Sequence, residues 1–294
     1  MMEAEKMADL AVLRGKTLFV TGASRGIGLA IALRAAREGA NIVIAAKTSV
    51  ARSGSSSTIF TAAAEIETAG GRALPIAVDI RDGEAIDAAV EKAVAHFGGI
   101  DICVNNASAI NLGGTLAVNA KGYDLMHQIN GRGTYLVSRA CLPYLLRSDN
   151  PHVLALSPPL QLRPQWFGRF PAYALSKFSM SIYMMAMAEE FRVQGVAFNS
   201  LWPRTAIATA ALSMGGEQSA GIVARRPEIM AEAACTIFKR DARTCTGRFF
   251  LDDELLWEAG HKDFTVYQDA PRAPLTLDLF VDRDAWAPPG VVIA

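Results

Sequence analysis

The chain predicts an α/β fold, a doubly wound parallel sheet in a single domain, and three observations predict it. Seven short apolar runs alternate with stretches of helical periodicity, the pattern of βαβ units covered on both faces. A glycine-rich turn, Gly22-Ala23-Ser24-Arg25-Gly26-Ile27-Gly28, joins the first run to the first helical stretch. Hydrophobic residues make up 51% of the 294 residues, enough for a large core. Length alone suggests two domains, but the motifs below spread one site across most of the chain. Residues 15–261 therefore read as one domain, with an N-terminal extension at 1–14 and a C-terminal tail at 262–294.

The strand candidates are residues 17–21, 41–46, 73–78, 100–105, 152–157, 196–201 and 247–251. Leu18-Phe19-Val20 runs into the glycine turn, and Ile27, Ala30, Ile31 and Arg34 then fall on one helical face. Strand, glycine turn and helix form the context that a dinucleotide pyrophosphate requires. Gly22 permits the turn, while Gly26 and Gly28 let backbone and helix N-terminus approach the phosphates. Gly39, Gly70 and Gly98 each follow a helical pattern, as C-caps do. Ser53-Gly54-Ser55-Ser56-Ser57 reads as a surface loop near the cofactor's ribose. Met180, Met184, Met187 and Phe191 form a stripe at helical spacing that reads as core or subunit interface. Residues 206–226 are rich in Ala and Gly and read as a small substrate lid. Pro271, Pro274, Pro288 and Pro289 stop any helix in the tail. The tail is expected to wrap over the body or a neighbouring subunit, or to be disordered at 284–294.

Lys+Arg and Asp+Glu both number 29, so no basic excess exists for a nucleic-acid partner. No apolar run reaches the length of a membrane span, and no signal-peptide core or S-K-L address is present. Cys103, Cys141, Cys235 and Cys245 form no C-x-x-C, which fits a reduced, cytoplasmic chain. The four histidines show no metal-ligand spacing, and no metal is expected.

Tyr173-Ala-Leu-Ser-Lys177 places a phenol and an ammonium one helical turn apart on one face. A unit charge ~4 Å away at an effective dielectric of ~20 is worth about 4 kcal/mol. On that basis Lys177 is expected to lower the Tyr173 pKa by up to roughly three units. With the spacing G-x-x-x-G-x-G upstream, the chain resembles the short-chain dehydrogenase/reductase family, from about residue 15 to about residue 255. Asp79 in Ala77-Val78-Asp79-Ile80, Asn105-Asn106-Ala107-Ser108 and Asn130 in Gln128-Ile129-Asn130-Gly131 match further family motifs in order. Ile42-Val43-Ile44-Ala45-Ala46-Lys47-Thr48, Leu156-Ser157-Pro158-Pro159 and Leu201-Trp202-Pro203-Arg204-Thr205-Ala206-Ile207 look like its hydroxysteroid dehydrogenase-like branch. A sterol-carrier domain follows in animal members of that branch; a chain ending at Ala294 is expected to lack one.

The resemblance implies a Rossmann-type fold and a set of roles. Tyr173 would be the general acid/base, Lys177 its activator and a ribose ligand, and Asn130 the holder of a relay water. Asp79 would meet the adenine, Asn106 and Ala107 would border the cofactor, and Pro203, Ile207 and Thr209 would line its nicotinamide and phosphate side. Helices around 121–147 and after Tyr173 would form the contact of a homodimer or homotetramer.

Two positions depart from the family pattern. Its substrate-binding Ser stands about thirteen residues before the Tyr, whereas Ser157 stands sixteen before Tyr173, and alignment on the apolar strand puts Pro158 in that slot. Either a longer loop lets Ser157 reach substrate or another donor serves. Arg204 replaces the usual Gly after Pro203 and is expected to reach substrate or solvent.

No acid occurs between Glu38 and Glu65, where an NAD site places one, whereas Lys47 and Arg25 offer cations for a 2′-phosphate, so NADP is the expected cofactor. Leu160, Leu162, Trp166, Phe167 and Trp202 would wall a site for an apolar alcohol or carbonyl. Two alternatives remain open. One is an enoyl- or ketoacyl-thioester reductase, for which Arg225 and Arg226 are the nearby basic pair; the other is a non-catalytic nucleotide sensor.

Overall fold

The computed structural model describes residues 12–51, 56–213, 221–270 and 273–294. Seven strands form one sheet: β1 (Thr17–Thr21), β2 (Asn41–Ala46), β3 (Arg72–Ala77), β4 (Ile102–Asn105), β5 (His152–Leu156), β6 (Ala197–Trp202) and β7 (Phe249–Leu251). Their order is β3-β2-β1-β4-β5-β6-β7, and every pairing is parallel. The order reverses direction between β1 and β4, which opens the crevice where such sheets bind ligands.

Alternation along the strands sorts the core into two layers. Leu18, Val20, Ile42, Ile44, Ile102 and Val104 face one cluster, with Ile31 of α1 (Gly26–Ala36), Ile59 of α2 (Ile59–Thr68) and Ile229 below them. Phe19, Val43, Ala45 and Cys103 face the other, with Ile86 and Val90 of α3 (Gly83–Phe97). Period-2 side-chain alternation on a sheet buried on both faces produces this sorting. Met180, Met184 and Met187 are buried in the second cluster, so the methionine stripe is core.

Local signals set the helix ends. The Asp82 side chain caps α3 by accepting from Ala85 N, and Gly98 closes that helix in the left-handed region. Next come α4 (Ala120–His127), a π-helical turn over Gln128–Gly133, and α5 (Thr134–Leu145). After β5 stand α6 (Pro164–Arg169) and the long α7 (Pro171–Glu190), which carries proline at its first position, where a missing N–H costs nothing. Then follow the one-turn α8 (Ala210–Ser213), α9 (Glu228–Phe238) and α10 (Asp252–Glu258).

The tail wraps its own body. Thr276 O accepts from Ala206 N at 2.9 Å, Asp278 N donates to Arg204 O at 2.9 Å, and Leu275 bridges to Ile293. The segment expected to form a lid, 206–226, is closed at its ends: Ala208 N donates to Arg225 O at 2.8 Å and Arg225 N to Ala206 O at 2.9 Å. Its middle, 214–220, lies outside the described residues, as do 1–11 of the N-terminal extension and Ser53, Gly54 and Ser55 of the serine loop.

Candidate active site

The glycine turn is tied to the end of β4. Thr21 Oγ1 accepts from the backbone of Asn106 and of Ala107, each at 3.0 Å, and donates to Val104 O at 3.1 Å. Asn106 Nδ2 donates to Thr21 O at 2.8 Å and to Gly22 O at 3.2 Å. A Cβ on Gly28 would lie 2.4 Å from Asn106 Nδ2 and 2.9 Å from Gly22 O, so α1 reaches the turn only because residue 28 lacks one. Arg25, the N-cap of α1, makes no side-chain cap bond. The first amides of α1 are thus left for an anion at the positive end of the helix. Ser24 is buried in the turn, Ile27 packs on the first core cluster, and Thr209 stands beside Gly26. These residues fit a dinucleotide pyrophosphate.

Beyond β2, Lys47 Nζ lies 3.7 Å from Asp79 Oδ2, and Arg81 Nη2 lies 2.6 Å from the same oxygen. Hydrogen bonds from Arg81, aided by Lys47, hold the Asp79 carboxyl down at about 2. Sequence reading missed Arg81; its signal was its place two residues after Asp79.

At the other side of the crevice, Tyr173 and Lys177 sit together on α7, 5% and 3% exposed. Lys177 Nζ donates to Leu156 O at 2.5 Å and lies 5.1 Å from the centre of the Trp202 ring. Burial pushes its pKa down to about 7, against the pull of Asp278. Burial also pushes the Tyr173 phenol up, and Asp278 adds to that. Burial and Asp278 thus act against the expected acidification of Tyr173 by Lys177. The cost of burying a phenolate dominates, and the ammonium is spent on a carbonyl and is itself easily neutralised.

Asn130, fully buried in the π-helical turn, joins this helix to the loop after β4. Its Oδ1 accepts from Ala109 N at 2.8 Å and Ser108 Oγ at 3.1 Å. Its Nδ2 donates to Ala109 O and to Ser176 Oγ, each at 2.9 Å, and Ser176 Oγ donates to Tyr173 O at 2.7 Å. Two acceptor and two donor positions exhaust the amide, so its side chain positions other groups and has no capacity left for a water.

Comparison with known proteins now decides the family. A family model described as short chain dehydrogenase matches residues 16–217. The chain belongs to the short-chain dehydrogenase family. A zebrafish (Danio rerio) protein, hydroxysteroid dehydrogenase-like protein 2, is 56% identical over 92% of this chain; the alignment spans 65% of that relative's length. A putative dehydrogenase of Xanthomonas campestris, known from its crystal structure, is 51% identical with a TM-score of 0.89, covering 92% of this chain and 99% of that one. A short chain dehydrogenase of Mycobacterium thermoresistibile, also a crystal structure, is 49% identical with a TM-score of 0.89, covering 96% and 100%.

The two positions that depart from the family pattern are both buried. Ser157 is fully buried and donates to Ser200 Oγ on β6 at 2.9 Å, so its hydroxyl is committed to the sheet. The next carbonyl, Pro158 O, accepts from Ser181 Oγ at 2.6 Å, which fixes the proline pair against α7. Arg204 reaches neither substrate nor solvent. It is 1% exposed, with Nε 2.8 Å from Asp253 Oδ1 and Nη2 2.5 Å from Glu254 Oε1. Arg225 joins the same carboxylate, Asp253 Oδ2, at 3.0 Å. Burial, then the neighbouring Asp253, pushes Asp252 up to about 7.

The tail contributes what the sequence concealed. Phe280 is 2% exposed and has φ 66, a positive value among non-glycine residues. Such a backbone costs a bulky L residue on the order of 1–2 kcal/mol. Its ring stacks on Tyr173 at 6.1 Å and touches Phe178 edge-on at 5.3 Å. Asp278 interacts electrostatically with Tyr173, Lys177 and Asp252, and burial pushes its carboxyl up to about 7.

Among the described residues no helix is long and apolar enough to cross a membrane, and no cluster of potential metal ligands occurs.

Proposed function

We propose that the chain is an NADP(H)-dependent oxidoreductase interconverting an apolar alcohol and its ketone or aldehyde, with Tyr173 as general acid/base. The observation that carries this is the buried Tyr173–Lys177 pair tied to the end of β5, two strands from the end of β1, where only glycine lets the α1 N-terminus close on its turn. Hydride exchange is the chemistry the nicotinamide supplies when bound. The protein's part is the proton. Burial pushes the phenol up, and the protonated phenol is the form that donates to a carbonyl oxygen during reduction. Lys177 holds the nicotinamide ribose and exchanges protons near neutrality. Asn130 positions α7 against the loop after β4. Asn106, Ala107, Pro203, Ile207 and Thr209 border the cofactor, and Asp79 its adenine.

NADP(H) is favoured by charge. Arg25 and Lys47 are exposed at the ribose end, joined by Arg81, and no carboxylate follows β2 directly. The ratio of kcat/KM with NADPH to that with NADH checks this. Lys47→Asp should lower that ratio by about tenfold or more; a wild type that prefers NADH overturns it.

An apolar substrate is favoured by the cluster around Tyr173, which includes Met126, Phe178, Trp202 and Phe280, with Leu160 and Trp166 against it. The thioester-reductase alternative is less favoured, because Arg225 is buried on Asp253 and only Arg226, paired with Asp269 at the surface, is left of the basic pair. Exposed Leu125, Tyr135, Ile182 and Met185 favour a homodimer or homotetramer through α4, α5 and α7. Four free, buried cysteines fit a cytoplasmic protein.

A further inference from the structure

We propose that Asp278 returns protons to the Lys177–Tyr173 pair, supplied by internal water held between Asp252, Thr205, Arg225 and Gln268. The proposal rests on Tyr173 being the proton donor.

Turnover in the reducing direction needs such a route. When the Tyr173 hydroxyl gives its proton to the substrate oxygen, a phenolate is left, and one proton must come back from solvent before the next cycle. The Asn130 side chain has its hydrogen-bond positions filled by Ala109, Ser108 and Ser176, so it passes none on.

Three observations point to Asp278 instead. First, Asp278 and Lys177 meet around one side chain. Trp202 Nε1 donates to Leu279 O at 2.8 Å, and the Trp202 ring centre lies 5.1 Å from Lys177 Nζ. Asp278 interacts electrostatically with Lys177, Tyr173 and Asp252. Leu156 O takes one of the three donors that an ammonium carries.

Second, one residue ties Asp278 to the charged cluster behind it. Arg204 O accepts from Asp278 N at 2.9 Å, and Arg204 N donates to Asp252 Oδ1 at 2.9 Å.

Third, that cluster has polar atoms to spare. Asp252 Oδ2, Thr205 Oγ1, Gln268 Oε1, and Nε and Nη2 of Arg225 are buried without a protein partner among the described residues. Arg225 gathers them. Its Nη1 donates to Asp253 Oδ2 at 3.0 Å, beside Asp252; its backbone N donates to Ala206 O at 2.9 Å, beside Thr205; and its backbone bridges to Gln268. Arg204, Asp253 and Tyr267 are the other titratable groups around Asp252 and Arg225. An anion there would face Asp252 and a cation would face Arg225. Water can both donate and accept, and takes the two to four partners on offer.

Along this route the Tyr173 phenolate takes a proton from the Lys177 ammonium, and Lys177 takes one from the Asp278 carboxyl. Asp278 is refilled through Asp252 and the water. No electrons move, and each turnover consumes one proton from solvent.

Asp278→Asn keeps the shape of the side chain but carries no acidic proton. Its kcat for acetophenone reduction is measured against pH, with KM and NADPH affinity alongside. The expected result is a maximum kcat lower by about tenfold or more, with KM and affinity within about twofold, and most of the rate restored in Asp278→Glu. A full maximum with a merely displaced pH profile means that Asp278 acts by charge alone, and overturns the proposal. If Asp278→Asn does not fold, Asp252→Asn, which keeps an acceptor for Arg204 N, is read by the same criterion. Tyr173→Phe is run in parallel. Turnover that survives there counts against the proposed function; turnover lost there but intact in Asp278→Asn counts against the relay alone. Infrared titration of the carboxyl bands needs no turnover. The band lost in Asp278→Asn should shift its midpoint in Lys177→Met, and an unmoved midpoint overturns the relay.

Discussion

The two sides of the crevice present strand ends to one site by different physics. On the cofactor side, β1 and β4 are joined by backbone groups and small polar side chains: Thr21, Asn106 and the glycines of the turn. On the other side, the segments after β6 and β7 are joined to each other and to Arg225 through buried charge: Arg204 and Arg225 converge on Asp253, with Asp252 beside them. Asp252 Oδ2, Thr205 Oγ1, and Nε and Nη2 of Arg225 are buried there without a protein partner among the described residues. A site can thus be rigid by close approach or by paired charges. The first tolerates no added atom; the second tolerates no lost partner.

The largest effect should follow from breaking the charged side. Asp253→Ala takes the ion-pair partner from buried Arg225 and leaves Arg204 with Glu254 alone; it is expected to cost about 3–5 kcal/mol, read as a lower midpoint in urea unfolding. Loss of the exposed Arg192–Glu189 pair should change that midpoint far less.

Next comes the closely packed side. Gly28→Ala pushes a methyl into Asn106 and is expected to cost about 1–3 kcal/mol and to weaken NADPH binding, measured by cofactor fluorescence. Unchanged affinity would mean that α1 does not hold the pyrophosphate.

The same contrast explains what the sequence could reveal. The cofactor side was legible because its requirements are local: a strand, glycines at fixed spacing and a helix lie within one stretch, and each strand from β1 to β7 fell within two residues of its expected bounds. Tyr173 and Lys177 were legible as a pair one turn apart, but their protonation was not, because burial depends on chain packed from elsewhere. Arg204 could not be placed, because its carboxylates arrive from α10, on the far side of β7 in sequence. Phe280 was hidden for the same reason: nothing near it in sequence marks the turn that carries it to Tyr173.

Ser157 gives the smallest effect. Its hydroxyl is spent on Ser200, so Ser157→Ala should lose one buried hydrogen bond, about 1 kcal/mol of stability, and leave kcat nearly unchanged. A fall in kcat of about tenfold or more would return Ser157 to the reacting group.

The central claim is that the buried Tyr173 hydroxyl supplies the proton to the substrate oxygen. Its most direct test is ketone-dependent NADPH oxidation by Tyr173→Phe, with NADPH affinity measured on the same preparation. The account predicts turnover reduced by about 100-fold or more with affinity preserved. Turnover that survives loss of the hydroxyl would contradict it.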